Sequence, residues 1–300
     1  MIRRIGTSAA VALCCTLAGV GLVGCDDDTV PAEDSSASPA PEETEQAPPT
    51  DTEQIDVDGQ AVNVLCTGEA VEGQPVVVLL HGGGEDLTNM AGLQETLSAD
   101  GQVCSYDRLG AGQSDPPAGP QDFGDTNAIL TGVLEQTVGD SPVVLVGHSM
   151  GGLIAGRYAP TNAQVAGLVL LDATGPTAAG DLANRIPEDV TGATAELRAA
   201  QLAVFEGQNH EQLVFADAPA ESAGDIPVRV LQHGVRYLAD LDPEYGDGLE
   251  EDWTAGQEAW LNLSTDSELT VVENAGHYIH TDTPEEAVTA IQDVVTRAAG

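Results

Sequence analysis

Ser149 lies in the string Gly147-His148-Ser149-Met150-Gly151, directly after the apolar run Pro142–Val146 and directly before a helix-like stretch. Glycines on both sides let a chain turn sharply from strand to helix, which lifts the serine hydroxyl onto an exposed corner. The helix behind it begins with unpaired N–H groups that favour negative charge. Such a hydroxyl is equipped to attack a carbonyl. A second group, His81-Gly82-Gly83-Gly84, ends the apolar run Val76–Leu80. The N–H groups of Gly83 and Met150 are candidates for an oxyanion hole, whose preorganised donors are worth roughly 2.7–4 kcal/mol each to a tetrahedral intermediate. Taken alone, either string carries little: Gly-x-Ser-x-Gly is short, and three glycines also make a flexible turn. A third group follows the run Glu268–Val272, namely Glu273-Asn274-Ala275-Gly276-His277-Tyr278-Ile279-His280. His277, freed by Gly276, is the candidate base, with His280 as its competitor. His81 reads as a local hydrogen-bonding residue and His148 as a wall of the pocket. His210 and His233 have no supporting context.

The elements that must position these groups follow an alternating pattern. Strands are predicted at Ala61–Cys66, Pro75–Leu80, Val103–Tyr106, Pro142–Val146, Ala166–Leu171, Pro227–Leu231 and Glu268–Val272. The central runs are continuously apolar, as strands covered on both faces are. Helical stretches are predicted at Thr88–Ala99, Phe123–Val138, Gly152–Tyr158 and Pro284–Ala298. This alternation points to an α/β fold with a mostly parallel sheet. Residues 173–225 lack a strong strand and hold a helix-like stretch near Thr194–Phe205, so they read as an inserted helical cap. Leu182, Ile186, Leu197, Leu202, Val204 and Phe205 are its candidate apolar lining.

Composition separates the folded part from what precedes it. The chain has 300 residues, 49 acids against nine arginines and no lysine, and a formal charge of -40. A polyanion of this kind lacks the basic surface that nucleic acid requires. It gains no attraction to anionic lipid either. Arg3 and Arg4 followed by the mostly apolar run Ile5–Gly24 have the form of a secretory signal, although the run is near the length of a membrane span. Its end, Leu22-Val23-Gly24-Cys25, resembles the bacterial lipobox, which makes residues 1–24 a lipoprotein signal and Cys25 the acylated residue. Lipid chains add about 0.8 kcal/mol per buried CH2. Residues 26–54 hold ten acids and five prolines with almost no large apolar side chain, the composition of a disordered tether. The remaining residues 55–300 form the folded domain, with a charge near -32. Export leaves Cys66 and Cys104, an even pair that reads as a disulfide, or else as two reduced core cysteines.

The order His81-Gly-Gly-Gly84, then Tyr106-Asp107-Arg108-Leu109-Gly110-Ala111-Gly112-Gln113-Ser114, then Gly147-His-Ser-Met-Gly-Gly152, then Gly276-His277-Tyr278 resembles the α/β-hydrolase superfamily. The similarity covers roughly residues 60–298. It implies an eight-stranded sheet in the order 1-2-4-3-5-6-7-8 with the second strand antiparallel, helices on both faces and a cap. That order sets the strand ending in Cys66 beside the one containing Cys104. The acid of a Ser–His–acid triad usually follows the seventh strand in this superfamily, but here Tyr237 occupies the expected position. Asp240 and Asp242 lie a few residues later. Asp172, at the tip of the preceding strand where some members carry the acid, is the expected triad acid and would orient His277, with Asp240 and Asp242 as the alternatives; it could instead cap the next segment.

The resemblance implies a serine hydrolase acting on a carboxylic ester, lactone or amide through an acyl-enzyme. An acyltransferase and a proline-iminopeptidase-like peptidase share the same core, and a surface-displayed binding protein on a hydrolase scaffold is the alternative of another class. The serine disfavours aspartate-dependent dehalogenase and epoxide-hydrolase chemistry. Metal-ligand spacings, phosphate-binding glycine loops and nicotinamide fingerprints are lacking, so no metal or cofactor is expected. The expected partner is a small neutral ester-type substrate, since the anionic domain repels polyanions. Membrane contact is expected through the lipid anchor only, outside the cytoplasm.

Overall fold

In the computed structural model, residues 51–300 are described; the expected signal, Cys25 and most of the stretch read as tether lie outside them. Eight strands form one sheet: β1 (Glu53–Val57), β2 (Gln60–Thr67), β3 (Val76–Leu80), β4 (Val103–Tyr106), β5 (Val143–His148), β6 (Val165–Leu171), β7 (Pro227–His233) and β8 (Asp266–Val272). The helices are α1 (Ala91–Leu97), α2 (Phe123–Thr137), α3 (Met150–Tyr158), α4 (Ala178–Arg185), α5 (Ala193–Phe205), α6 (Gly246–Trp260), α7 (Ile279–Asp282) and α8 (Pro284–Ala298). The strand order is β1-β2-β4-β3-β5-β6-β7-β8. Only β2 runs against its neighbours, pairing antiparallel with β1 and β4, while the remaining pairs are parallel. This is the α/β-hydrolase arrangement.

The continuous apolar runs explain the layering. Side chains alternate across a strand, so Val76, Val78 and Leu80 of β3 join one core with α2 and α3. Val77 and Leu79 join another with α1 and α8. Both faces are therefore covered, and every residue of β3, β5 and β7 is buried. The edge strands β1 and β8 are largely exposed. β1 was absent from the predicted strands because its sequence Glu-Gln-Ile-Asp-Val offers little apolar signal, and it takes Glu53 and Gln54 out of the stretch read as tether. α6 was also absent; its acidic sequence hides the buried face formed by Glu250, Gln257 and Trp260.

Within the cap, α4 and α5 bury no residue completely. Ile186 is buried, whereas Leu182, Leu197, Leu202, Val204 and Phe205 are half-buried. The segment behind them holds the cap to the core beside α2: Leu213 and Phe215 are buried, and Phe215 stacks on Phe123 at 4.0 Å between ring centroids. Among the described residues, no helix is long and apolar enough to cross a membrane.

Cys66 and Cys104 face each other across β2 and β4 and form a disulfide, with their Cα atoms 4.1 Å apart. The bond closes a sequence separation of 38 residues, for which loop-closure entropy gives about 3–4 kcal/mol of stabilisation. Urea unfolding of a C66A/C104A variant should show a loss of that order. Stability equal to the parent would contradict a structural role for the bond.

Candidate active site

The reactive groups of the sequence converge on the C-terminal edge of the parallel strands, where ligands bind in open α/β sheets. Between β5 and α3, Ser149 has φ 50° and ψ -119°, a conformation that costs a non-glycine residue energy. The neighbouring glycines are there for space. A Cβ on Gly147 would lie 2.5 Å from backbone atoms of Gly151 and Gly152, and one on Gly151 would lie 2.2 Å from the Leu80 carbonyl oxygen. Ser149 N–H donates to Leu171 O at 3.2 Å and Ser149 O accepts from Thr174 N–H at 3.0 Å, which ties this turn to the end of β6. Ser149 itself is half-buried, so its hydroxyl stays within reach of solvent.

Directly after β6, Asp172 is fully buried and also has positive φ, 45°. Its Oδ2 accepts from His277 Nδ1 at 2.7 Å. Its Oδ1 accepts from Trp253 Nε1 at 2.9 Å and from the His233 backbone N–H at 3.1 Å. The His233 ring Nδ1 lies 2.8 and 2.9 Å from the two oxygens. Burial alone would raise this carboxyl, but the hydrogen bonds from His233 and His277 outweigh it and bring its pKa to about 2. Of the three candidate acids, Asp172 is therefore the one joined to His277. Asp242 accepts instead from Thr194 Oγ1 at 2.5 Å and from the amides of Glu244 and Tyr245, and Asp240 is exposed.

His277 follows β8 on a loop zipped to the end of β7 through Gly234 and Val235, which both donate to Ala275 O. Its carbonyl accepts from His148 Nε2 at 3.0 Å, and its ring lies 4.7 Å from that of His148. His148, expected as a wall, thus also holds the loop. Burial pushes the His277 pKa down, with the Asp172 hydrogen bond as partial offset. Among the described residues, Ser149 Oγ makes no hydrogen bond to His277. His280 is buried against His148 and pushed down to about 3 by that burial and by His148. Among the described residues it is not one of the hydrogen-bond partners of Asp172.

The glycine loop after β3 is fixed from both sides. Gly82 N–H donates to Glu85 Oε2 at 2.7 Å and Gly84 N–H to Glu211 Oε1 at 2.9 Å. No described residue accepts from the Gly83 N–H between them. Gly83 lies against Met150, since a Cβ there would be 3.5 Å from Met150 Cβ. Met150 opens α3, so its N–H precedes the intrahelical ladder. The carbonyls of His81 and Gly82 accept from the Arg108 guanidinium at 2.6 and 2.7 Å, and Arg108 Nε pairs with Glu211 Oε2 at 2.6 Å. His81 is a local hydrogen-bonding residue: its Nδ1 is 2.8 Å from Gly82 O, and Nε2 accepts from Arg108 N–H.

Sequence reasoning missed His233, Glu250, Trp253 and Glu211. His233 stands at the tip of β7 as Asp172 does at the tip of β6, and that position was the available signal. Glu250 and Trp253 sit on the unrecognised α6, and Glu211 had none. Among the described residues, no group of three or more His, Cys, Asp or Glu is arranged to hold a metal ion.

Residues 75–262 match the family model described as alpha/beta hydrolase fold. The uncharacterized protein YqjL of Bacillus subtilis (strain 168) is 28% identical over 195 residues, covering 64% of this chain and 72% of its own length. The uncharacterized protein C23C11.06c of Schizosaccharomyces pombe is 38% identical over 78 residues, 26% of this chain, which spans only 15% of that protein's length. Among solved structures, that of VinJ has a TM-score of 0.63 at 20% identity, covering 83% of this chain and 99% of its own. The enol-lactonase from Burkholderia xenovorans LB400 has a TM-score of 0.60 at 19% identity, covering 81% and 100%.

Removing one partner of the buried Arg108–Glu211 pair strands the other charge, which costs about 3–5 kcal/mol. R108M should lose stability on that scale in urea unfolding, and R108M/E211M should recover much of it. A double variant that simply adds the two losses would contradict the coupling.

Proposed function

The chain belongs to the α/β-hydrolase fold family, and from that premise we propose that it is a serine hydrolase cleaving a neutral carboxylic ester, lactone or amide. The observation that carries the reading is the 2.7 Å hydrogen bond from His277 Nδ1 to the buried Asp172. That bond fixes the tautomer in which Nε2 is bare and basic. Ser149 Oγ attacks the substrate carbonyl carbon while its proton passes to His277 Nε2, the Ser–His hydrogen bond tightening as substrate binds. The N–H groups of Gly83 and Met150 hold the oxyanion. Collapse of the intermediate expels the alcohol, which takes the proton from His277. Water, deprotonated by His277, then attacks the acyl-enzyme; the bond to Ser149 Oγ breaks, His277 returns the proton to that oxygen, and the acid leaves.

The half-buried apolar residues of α4 and α5 suit an uncharged acyl or alkyl group, and the negative domain disfavours anionic substrates. The enol-lactonase from Burkholderia xenovorans LB400 is by its name an enzyme of lactones, one of the proposed bond types. A fluorophosphonate probe should label Ser149, and S149A should lose both labelling and ester turnover, the latter by about 10⁴-fold or more. Only neutral His277 accepts the proton, so kcat/KM should fall as pH drops through its depressed pKa, with the acid limb below 6.5. Labelling that persists in S149A would contradict the assignment.

We further propose, from the sequence pattern alone, that Cys25 is lipidated and holds the domain on the outer face of a bacterial membrane. Labelled palmitate should be incorporated by the parent and lost in C25A. Equal incorporation by both would contradict the anchor.

A further inference from the structure

His233 is a buried titratable group beside the active site that the proposed reaction does not use. Both its ring nitrogens face carboxylates: Nδ1 toward Asp172 at 2.8 and 2.9 Å, Nε2 toward Glu250 Oε2 at 3.0 Å. All three side chains are at most 6% exposed. An ionised carboxylate only accepts and a neutral imidazole has one N–H, so this line needs one proton more than its neutral-histidine form supplies. The other partners show where that proton sits. Glu250 Oε1 accepts from the Leu238 and Ala239 amides at 2.8 and 3.3 Å. Asp172 accepts from Trp253, the His233 amide and His277. Each of these partners donates, which favours the anion on both acids and leaves the extra proton to the imidazole.

We propose that His233 is a positioning residue, a standing imidazolium clamped between Asp172 and Glu250 that holds the Asp172 carboxylate with Oδ2 presented to His277. The proposal rests on the reading of His277 as the base. The charges in the line are consistent with it: Glu250 offsets His233, so Asp172 keeps one negative charge to stabilise the imidazolium formed at His277. Burial works against a charged His233, but the hydrogen bonds to the two carboxylates outweigh it and hold its pKa above the usual imidazole value. Tyr237 is the further titratable group against His233, its ring 4.7 Å away. Around His277 stand Asp172, His148, Glu85, Tyr237 and Tyr278.

The test is nitrogen-15 NMR of histidine-labelled full-length protein, which contains only six histidines, with H233N used to assign the signal. The two His233 ring nitrogens should both stay protonated from pH 5.5 to 8.5 while His277 titrates within or below that window. A neutral or titrating His233 would overturn the proposal. On a neutral ester, H233F should lower kcat about 10- to 100-fold with KM nearly unchanged. H233N, which retains a side-chain N–H toward Asp172, should restore most of it. Parent-like kinetics in H233F, or a joint change in kcat and KM without rescue, would also overturn it. If the parent is unlabelled by fluorophosphonate, the hydrolase reading fails, and the NMR measurement still decides the charge state of His233.

Discussion

One buried carboxylate organises this structure. Asp172 collects N–H donors from the loop after β8, from the end of β7 and from α6. A carboxylate out of water is costly unless hydrogen bonds replace its solvation, and that requirement joins three elements remote in sequence. The same contacts give the site its geometry, since the donor from the β8 loop is the ring of His277. The strained backbone at Ser149 and Asp172, on adjacent strand tips, is tolerated because hydrogen bonds between the two turns over-determine it.

The rest of the site solves the same problem for other charges. Glu211 reaches from the cap into the core, where Arg108 and the Gly84 amide neutralise it. Burial would raise Glu85, but the hydrogen bond from His148 outweighs it and brings its pKa to about 2. Asp107 accepts from Asn63, Leu87 and Gln113. In a chain with 49 acids and nine arginines, most buried acids here are held by N–H groups of the backbone, histidines or amides, and the scarce arginine is placed where it also grips the glycine loop.

The sheet and the reactive strings were legible because each has a local cause. Continuous apolar runs mark β3, β5 and β6, and the glycines at 147 and 151 mark a turn that side chains would block. Asp172 was legible as the candidate acid from its place at a strand tip, but Asp240 and Asp242 stayed open beside it, because the choice among them depends on where His277 points. α6 escaped because its buried face is partly polar, with Glu250 and Gln257 among the hidden residues. His233 escaped for the opposite reason: its meaning lies in two carboxylates 61 and 17 residues away, a spacing with no local pattern.

The proposed hydrolysis requires Ser149, His277 and the Gly83 and Met150 amides to meet around one carbonyl carbon. A crystal structure of the full-length protein treated with a small alkyl phosphonate tests this most directly. Phosphorus should be bonded to Ser149 Oγ, with the phosphoryl oxygen about 2.7–3.1 Å from both amide nitrogens and His277 Nε2 within hydrogen-bond distance of the adduct. An adduct whose phosphoryl oxygen faces solvent, or a His277 ring still apart from it, would rule out this catalytic arrangement.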